Sequence, residues 1–553
     1  MRLKPFALFD AMQPRQIVGE CCFFDDAEKP LANLFDLLVQ HREINAHELC
    51  AYRGEFAFAL WDEKKRTAFA ACDPMGSRAL FYALLPHKIV FSCSIKALLA
   101  LPEVNCGLNE AYLAEAFSTS LCAEHTYDEH TLYQGIKRLP AGHYLTWHDN
   151  DAFVARYWHL DDKPVFFSND QDYVDGFYAH LHQAVQRRIG ATDMLALEVS
   201  GGIDSLAIAA TARQIAPQRP MIAFSNTCPA SSHPEYQFTS EKRYADRACQ
   251  HLKIQQISMT SEFDLFAALD TFQEVLPGFV EDVFSFMNIG FYELAQQHEA
   301  TVVLSGFGGD QVATQHAIAM ITECRQDKRQ VRGFIEWWLL NGTQQSIKKL
   351  LTKMLRVFQA RPALPERYRH FIDWISPLME QRLHDFTARQ MRCKTVQAVE
   401  ARYAQGSMYG FLTSRPATSN ILAKAYGVQH RYPMLDVDLL NYCHNVPAIH
   451  KRRWGIGRRM VRKAIAPYVP HELIYRDDKT SATCPEQIIR MDQSLIQYFA
   501  DDHAIPETVR AYVCWPKLQA HMHKHGILDG SMRRALLYIL QLERLNQRFG
   551  FLD

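Results

Sequence analysis

The sequence has no CxxC pair, no apolar run approaching about 18 residues, no GxxxxGKS/T stretch and no net charge to speak of, at −1 over 553 residues. Without paired, regularly spaced cysteines, neither a structural zinc site nor a disulfide framework is indicated. The fourteen cysteines are scattered and read as thiols in a reducing cytosol. The missing apolar run excludes a membrane-spanning helix, and MRLKPFALFDAMQPRQ at the start carries no secretory core, so a cytoplasmic protein is expected. The missing charge excess argues against nucleic acid or membrane as partner; RWGIGRRMVRK (453–463) and the lysines at 348–349 are local basic pieces. Repeats and low-complexity tracts are absent too. What remains is an ordinary globular composition, 48% hydrophobic and 22% charged, in a chain long enough for two or more domains.

One stretch stands out. DMLALEVSGGIDSLAIAA (193–210) places two glycines, two serines and an aspartate between an apolar strand pattern and an alanine-rich helix pattern. In the strand-to-helix turn, Gly201 and Gly202 let the backbone present its N–H groups beside a helix N-terminus, which makes an anion site. Ser200 and Ser205 add hydroxyl donors. Asp204 has the wrong sign to attract phosphate, and is accounted for if a magnesium ion lies between it and the phosphates.

Residues 1–160 carry short β-like runs (PFALF, RQIVGECCFF, FAFALWD, TAFAACD, ALFYALL, KIVFSCS, GHYLTW, AFVARYW) with a few helical pieces, the pattern of an α+β domain with antiparallel sheets. Residues 161–170, within the polar LDDKPVFFSNDQ, read as a linker. From 171 to 553 the rhythm changes: MLALEV, PMIAFS, IQQISM and TVVLSG alternate with helices, as in a parallel sheet, and beyond about 313 strands are expected to give way to helices.

SGGIDS resembles the signature of the PP-loop ATP pyrophosphatases, which split ATP between the α- and β-phosphates. RGEFAFALWDEKKRTAFAACDPMGSRALFYA (53–83) and RYWHL (156–160) resemble the glutamine amidohydrolase domain of class B asparagine synthetases. LSGFGGDQV (304–312), GVQHRYPMLD (427–436) and GRRMVRKAIAPYVPHELIYRDDK (457–479) resemble, in order, the "LSGxGxDE", "GvExRxPFLD" and "xKxxLRxAxxxxLPxxixxRxK" segments of the synthetase domain of that family. The resemblance implies an Ntn-hydrolase-like antiparallel β sandwich flanked by helices, followed by a PP-loop parallel α/β sheet with a large helical extension. It implies ATP and Mg2+ as cofactors. Val199 and Phe224 would flank adenine, Ser200, Gly201, Gly202, Asp204 and Ser205 would hold pyrophosphate, and Ser305 and Gly306 would contact the nucleotide. Asp204 and Asp310 would bind magnesium, and Lys479 would be the catalytic cation near the α-phosphate. A lysine at a helix end is ordinarily a solvated one; the order of the motifs gives Lys479 its role.

Three departures bear on the substrate. Working glutaminases of this class carry cysteine at position two, with its own α-amine as base; here Arg2 stands there, so glutamine is not expected to be the nitrogen donor. Phe307 replaces the glutamate of asparagine synthetases and the tyrosine of β-lactam synthetases, and has no titratable group. Gln429 replaces a further glutamate. Among relatives with such an N-terminal domain, lasso peptide cyclases fit best: they adenylate an Asp or Glu side chain of a precursor peptide, whose N-terminal amine then closes a macrolactam. The implied partners are the precursor peptide and a leader-processing protease, and the helical segment 313–410 would wall the peptide cavity. A small-molecule ligase of β-lactam synthetase or asparagine synthetase type is the alternative. Glu198 replaces an apolar residue, with no role read from sequence. Glu241, opening EKRYADRACQHL, either reaches a metal or a substrate amine or, as is expected, is an exposed helix-start residue. His430, beside Arg431, is a candidate to take the proton of the attacking amine, although histidines so placed are more often core or surface residues.

Overall fold

The computed structural model describes residues 15–23, 46–122, 129–161, 163–190, 194–226, 241–259, 263–280, 284–313, 374–382, 384, 412–452, 456–476, 485–500, 505–525 and 528–550. Lys479 and most of segment 313–410 lie outside these residues.

The N-terminal half builds two antiparallel sheets. Strands β1 (Arg15–Phe23), β2 (Gly54–Asp62), β3 (Thr67–Cys72), β4 (Phe81–Leu85), β5 (Lys88–Ser92), β6 (Lys137–Arg138), β7 (His143–His148) and β8 (Asp151–Arg156) form a five-stranded sheet in the order β1-β2-β3-β7-β8 and a three-stranded sheet β5-β4-β6. The register of β2 on β3, Phe58 opposite Ala71 and Leu60 opposite Phe69, aligns their alternate apolar residues on one face. Helix α1 (Glu110–Cys122) follows within this half.

Asn169 caps helix α2 (Asp170–Ile189), its side chain accepting from Gln171 N at 3.0 Å. The second half is a parallel sheet in the order β11-β10-β9-β12-β13, with β9 (Leu195–Glu198), β10 (Met221–Ser225), β11 (Gln255–Ser258), β12 (Val302–Leu304) and β13 (Gln429–Arg431). Helices α3 (Ile203–Ile215), α4 (Lys242–Leu252), α5 (Leu265–Val275), α6 (Phe284–Gln297) and the short α7 (Gly309–Val312) interleave with the strands. They are followed by α8 (Leu412–Ala425), α9 (Val437–Asn445), α10 (Arg459–Ile465), α11 (Pro485–Tyr498), α12 (Trp515–His525) and α13 (Gly530–Phe549).

β13 corrects the expectation that strands end near 313. QHR has no apolar run to announce it; pairing with β12, Val303 against His430, makes it a strand. The sheet order turns back between β9 and β12: β10 and β11 lie on one side of β9, β12 and β13 on the other. Loops leaving two strands at such a reversal diverge and open a crevice at their carboxyl ends. The loops here are SGGIDS and SGFGGD.

The apolar cores cross from one half to the other. One buried cluster joins Phe81 and Leu98 to Ala196, Ile222 and the C-terminal α13 residues Leu536 and Ile539. Another joins Phe56, Phe58 and Trp158 to Leu197, Leu206 and Leu439. The segment between the halves is held as well: Val165 N donates to Asn445 O at 3.0 Å and Asp161 N to Asn441 Oδ1 at 3.0 Å. Among the described residues, no helix is long and apolar enough to cross a membrane.

Candidate active site

The crevice is a cavity of about 360 Å³ lined by Glu198, Val199, Ser200, Gly202, Asp204, Ser205, Phe224, Asn226, Glu241, Met287, Asn288, Phe291, Ser305, Gly306, Phe307, Asp310, Arg415 and Arg458. It gathers residues from three separated motifs, and of the residues that the resemblance assigns to nucleotide, metal or catalysis all but two line it, while His430 stands behind its wall. Gly201 is the first exception: it shapes the loop from φ 79°, where a Cβ would meet Glu241 O at 2.8 Å. Lys479 is the second and lies outside the described residues.

The SGGIDS turn is knitted by its own hydroxyls. Ser200 N and Ser200 Oγ lie 3.3 and 3.2 Å from Ser205 Oγ, Gly202 N donates to Ser200 Oγ at 3.3 Å, and Ser205 Oγ donates to Gly202 O at 3.0 Å. Gly202 caps the thirteen-residue helix α3 without a side-chain bond, so its first turn presents N–H groups to the crevice.

Asp204, on the first turn of α3, faces the loop of α7 at very short range: a Cβ on Gly309 would stand 2.5 Å from Asp204 Cγ. Asp310 follows Gly309, so the two acids on different loops converge. Arg458 binds both, Nη1 lying 3.1 Å from Asp204 Oδ2 and Nη2 pairing with Asp310 Oδ1. A guanidinium that spans two carboxylates marks a place where paired negative charge gathers a cation. Magnesium is commonly held by one or two carboxylates together with substrate phosphates, and this donor set fits it without a further protein cluster.

The opposite wall holds a different group. Glu198, at the end of β9, pairs Oε2 with the hydroxyl of Ser305 and lies with Oε1 3.2 Å from His430 Nε2. Burial pushes the Glu198 carboxyl up, but His430, the Arg415 charge and the Ser305 hydroxyl outweigh it and hold the group below the usual glutamate range. His430 is fully buried, with Nδ1 2.8 Å from Tyr292 Oη and 3.0 Å from Tyr432 Oη. Burial pushes both phenols well above their ordinary pKa, so they keep their protons. Arg415 lies over the Phe307 ring, 4.5 Å from its centroid, and Tyr432 meets that ring edge-on.

The expectation for Glu241 is corrected. It is buried, not exposed, because Arg476 Nη2 donates to its Oε1 at 2.6 Å while the guanidinium covers the Tyr244 ring. Sequence reasoning missed Arg415 and Arg458. Arg458 occupies the lysine position of the quoted xKxxLR pattern, a signal that was legible; Arg415, on a helix outside every motif, had none.

Residues 176–546 match the asparagine synthase family. The chain belongs to that family. Residues 36–158 match the glutamine amidotransferase domain. Among curated members and relatives, asparagine synthetase [glutamine-hydrolyzing] 3 of Bacillus subtilis is 33% identical over 174 residues, 31% of this chain and 28% of that protein. Amidase chyE of Penicillium rubens is 32% identical over 162 residues, 28% of this chain and 23% of that one. A putative asparagine synthetase of Methanocaldococcus jannaschii is 25% identical over 271 residues, 47% and 49% of the two chains. The chain therefore spans less than half the length of each of these relatives. NH3-dependent NAD synthetase from Campylobacter jejuni is similar at 14% identity and a TM-score of 0.18 over 26% of this chain and 58% of that one, a likeness that carries no argument.

Proposed function

We propose that this asparagine synthase family chain is an ATP-dependent carbon–nitrogen ligase that transfers AMP to a carboxylate and then joins the acyl group to an amine, with AMP and pyrophosphate as products. Its substrate, in this proposal, is a ribosomally made precursor peptide whose Asp or Glu side chain is coupled to its own N-terminal amine, the macrolactam closure of lasso peptides. The observation that carries the ligase reading is the convergence of Asp204 and Asp310, from the loops of two strands, on one cation at the sheet's reversal point.

A carboxylate is a poor electrophile. Adenylation gives it a good leaving group, and the N–H groups at the start of α3 with Ser200 and Ser205 take the departing pyrophosphate. Magnesium, held by Asp204 and Asp310, supplies neutralisation of charge on the phosphate oxygens when bound. Val199 and Phe224 flank the adenine, Ser305 and Gly306 meet the nucleotide beyond it, and Lys479 is the catalytic cation at the α-phosphate. The apolar wall of Met287, Phe291 and Phe307 supports a peptide over a small polar acid. The partners are the precursor peptide and a leader-processing protease.

One observation favours a small-molecule ligase as second reading: Arg415, a single guanidinium beside Phe307, suits the free carboxylate of an amino acid such as aspartate. The test incubates the protein with MgATP and either a precursor peptide carrying a glycine at its core start, with its processing proteins, or L-aspartate with ammonium chloride. The expected result is loss of one water from the peptide, AMP rather than ADP, and exchange of labelled pyrophosphate into ATP. AMP formed only with L-aspartate moves the assignment to the small-molecule ligases, and ADP formation overturns the adenylation reading.

A further inference from the structure

Amide formation on the reading above requires a proton acceptor: the attacking nitrogen must shed a proton as it bonds to carbon. Four carboxylates line the cavity. Asp204 and Asp310 are joined by Arg458, and Glu241 is bound to Arg476. Glu198 is the one of the four backed by an imidazole, and that imidazole is fixed from behind by Tyr292 and Tyr432. No histidine is among the cavity-lining residues described, so His430 reaches the cavity through Glu198.

We propose that Glu198 accepts the proton of the attacking amine, with His430 as its positioning residue. This assignment rests on the adenylating-ligase reading. The neutral amine attacks the carbonyl carbon of the acyl adenylate, and the new C–N bond leaves positive charge on nitrogen. One N–H proton passes to a Glu198 oxygen. The bond from carbonyl carbon to the AMP oxygen breaks and its electron pair leaves with AMP. Glu198 then returns the proton to solvent, so that acyl adenylate and amine become amide, AMP and a proton.

The geometry suits the step. An ammonium formed on a carbonyl carbon is far more acidic than a free amine's conjugate acid, so an ionised carboxylate is basic enough if it is held ionised and aimed. Each Glu198 oxygen keeps a lone pair beyond its bond to Ser305 or its contact with His430. The charged and titratable groups facing it are His430 from β13 and Arg415 from α8, with Tyr292 of α6 and Tyr432 behind the imidazole. The imidazole stands behind the carboxylate, Nε2 at 3.2 Å from Oε1, without itself lining the cavity.

E198Q keeps the side chain's shape and deletes the acceptor charge. It is assayed in two half-reactions, with L-aspartate plus ammonium chloride and with the precursor peptide as probes. Pyrophosphate exchange into ATP reports adenylation; amide mass reports the second step. The expected result is exchange near the wild-type rate, with amide formation down about 10²–10⁴-fold, the usual worth of a general base. Amide formation at the wild-type rate, or exchange falling in step with it, overturns the proposal; the latter would make Glu198 a nucleotide-binding group. If the wild type exchanges pyrophosphate with neither probe, the adenylation reading falls and this assignment with it. H430Q gives a readout that a packing role would not move: without the imidazole, Glu198 titrates higher, so the acid limb of the pH profile for amide formation shifts upward while exchange stays in place. E198Q decides by itself if H430Q fails to fold.

Discussion

Arg458 holds φ 58° and ψ 33°, in the left-handed region that costs a residue with a side chain roughly 1–2 kcal/mol. Asp204 and Asp310 are its ion-pair partners there, and a divalent ion wants the same oxygens. In R458Q the two acids lose that guanidinium, so Mn2+ is expected to bind the variant more tightly than the wild type in the absence of nucleotide, as read from the free-ion electron paramagnetic resonance signal; equal binding would detach Arg458 from the metal site. Gly309→Ala acts on the same acids from the other side. Its Cβ would stand 2.7 Å from Asp204 Oδ1 at the start of a helical turn, so the carboxylate must move. Nucleotide affinity with magnesium, measured by calorimetry, is expected to fall at least about tenfold, or 1.4 kcal/mol. At this scale the glycines, serines and acids of the two loops stood out in the sequence by spacing and residue type, and the structure gathers them in one crevice. Glu198 and His430 were seen but not joined, because 232 positions separate them in the chain and only the pairing of β9, β12 and β13 brings them together.

Between elements, Asp170 ties the start of α2 to α10. Arg459 donates to both of its oxygens, Lys463 Nζ to Oδ2 at 2.9 Å, and His450 Nδ1 lies 2.9 Å from Oδ1. The Arg459 hydrogen bonds, against the opposing effect of burial and with the help of Lys463 and His450, hold its carboxyl far below the ordinary aspartate range. Because the folded value lies below the unfolded one, the stabilisation is complete above about pH 4 and is lost as the pH falls further. D170N is expected to lose about 1–3 kcal/mol at pH 7 in urea denaturation and to flatten the acid limb of stability against pH; an unchanged limb would place acid sensitivity elsewhere. Four of the parallel strands were legible as apolar runs between helices. β13 was not, since its polar residues become a strand only by pairing with β12.

Across the whole molecule, a chain of buried and half-buried charges stitches the two halves. Glu55 meets Arg78 Nη2 at 3.2 Å and Arg188 Nε at 3.3 Å, Arg188 Nη1 meets Asp436 at 2.7 Å, and Arg53 meets Asp438 at 2.8 Å. Arg78 Nη1 also donates to Asn420 Oδ1 at 3.1 Å, the oxygen that accepts from His430 N. Removing one partner strands the others, so E55A is expected to cost about 3–5 kcal/mol and to lower the unfolding midpoint of both halves together; a midpoint shift confined to one half would make the seam dispensable. The change from antiparallel to parallel sheet was legible from the change of rhythm in the sequence, but the seam was not, because ion pairs between distant segments leave no local pattern. The same seam bears on how the chain can be divided. A chain cut near residue 170 would take Glu55 from Arg188 and Arg53 from Asp438, so the parallel-sheet portion is expected to keep its fold only together with the N-terminal sheets.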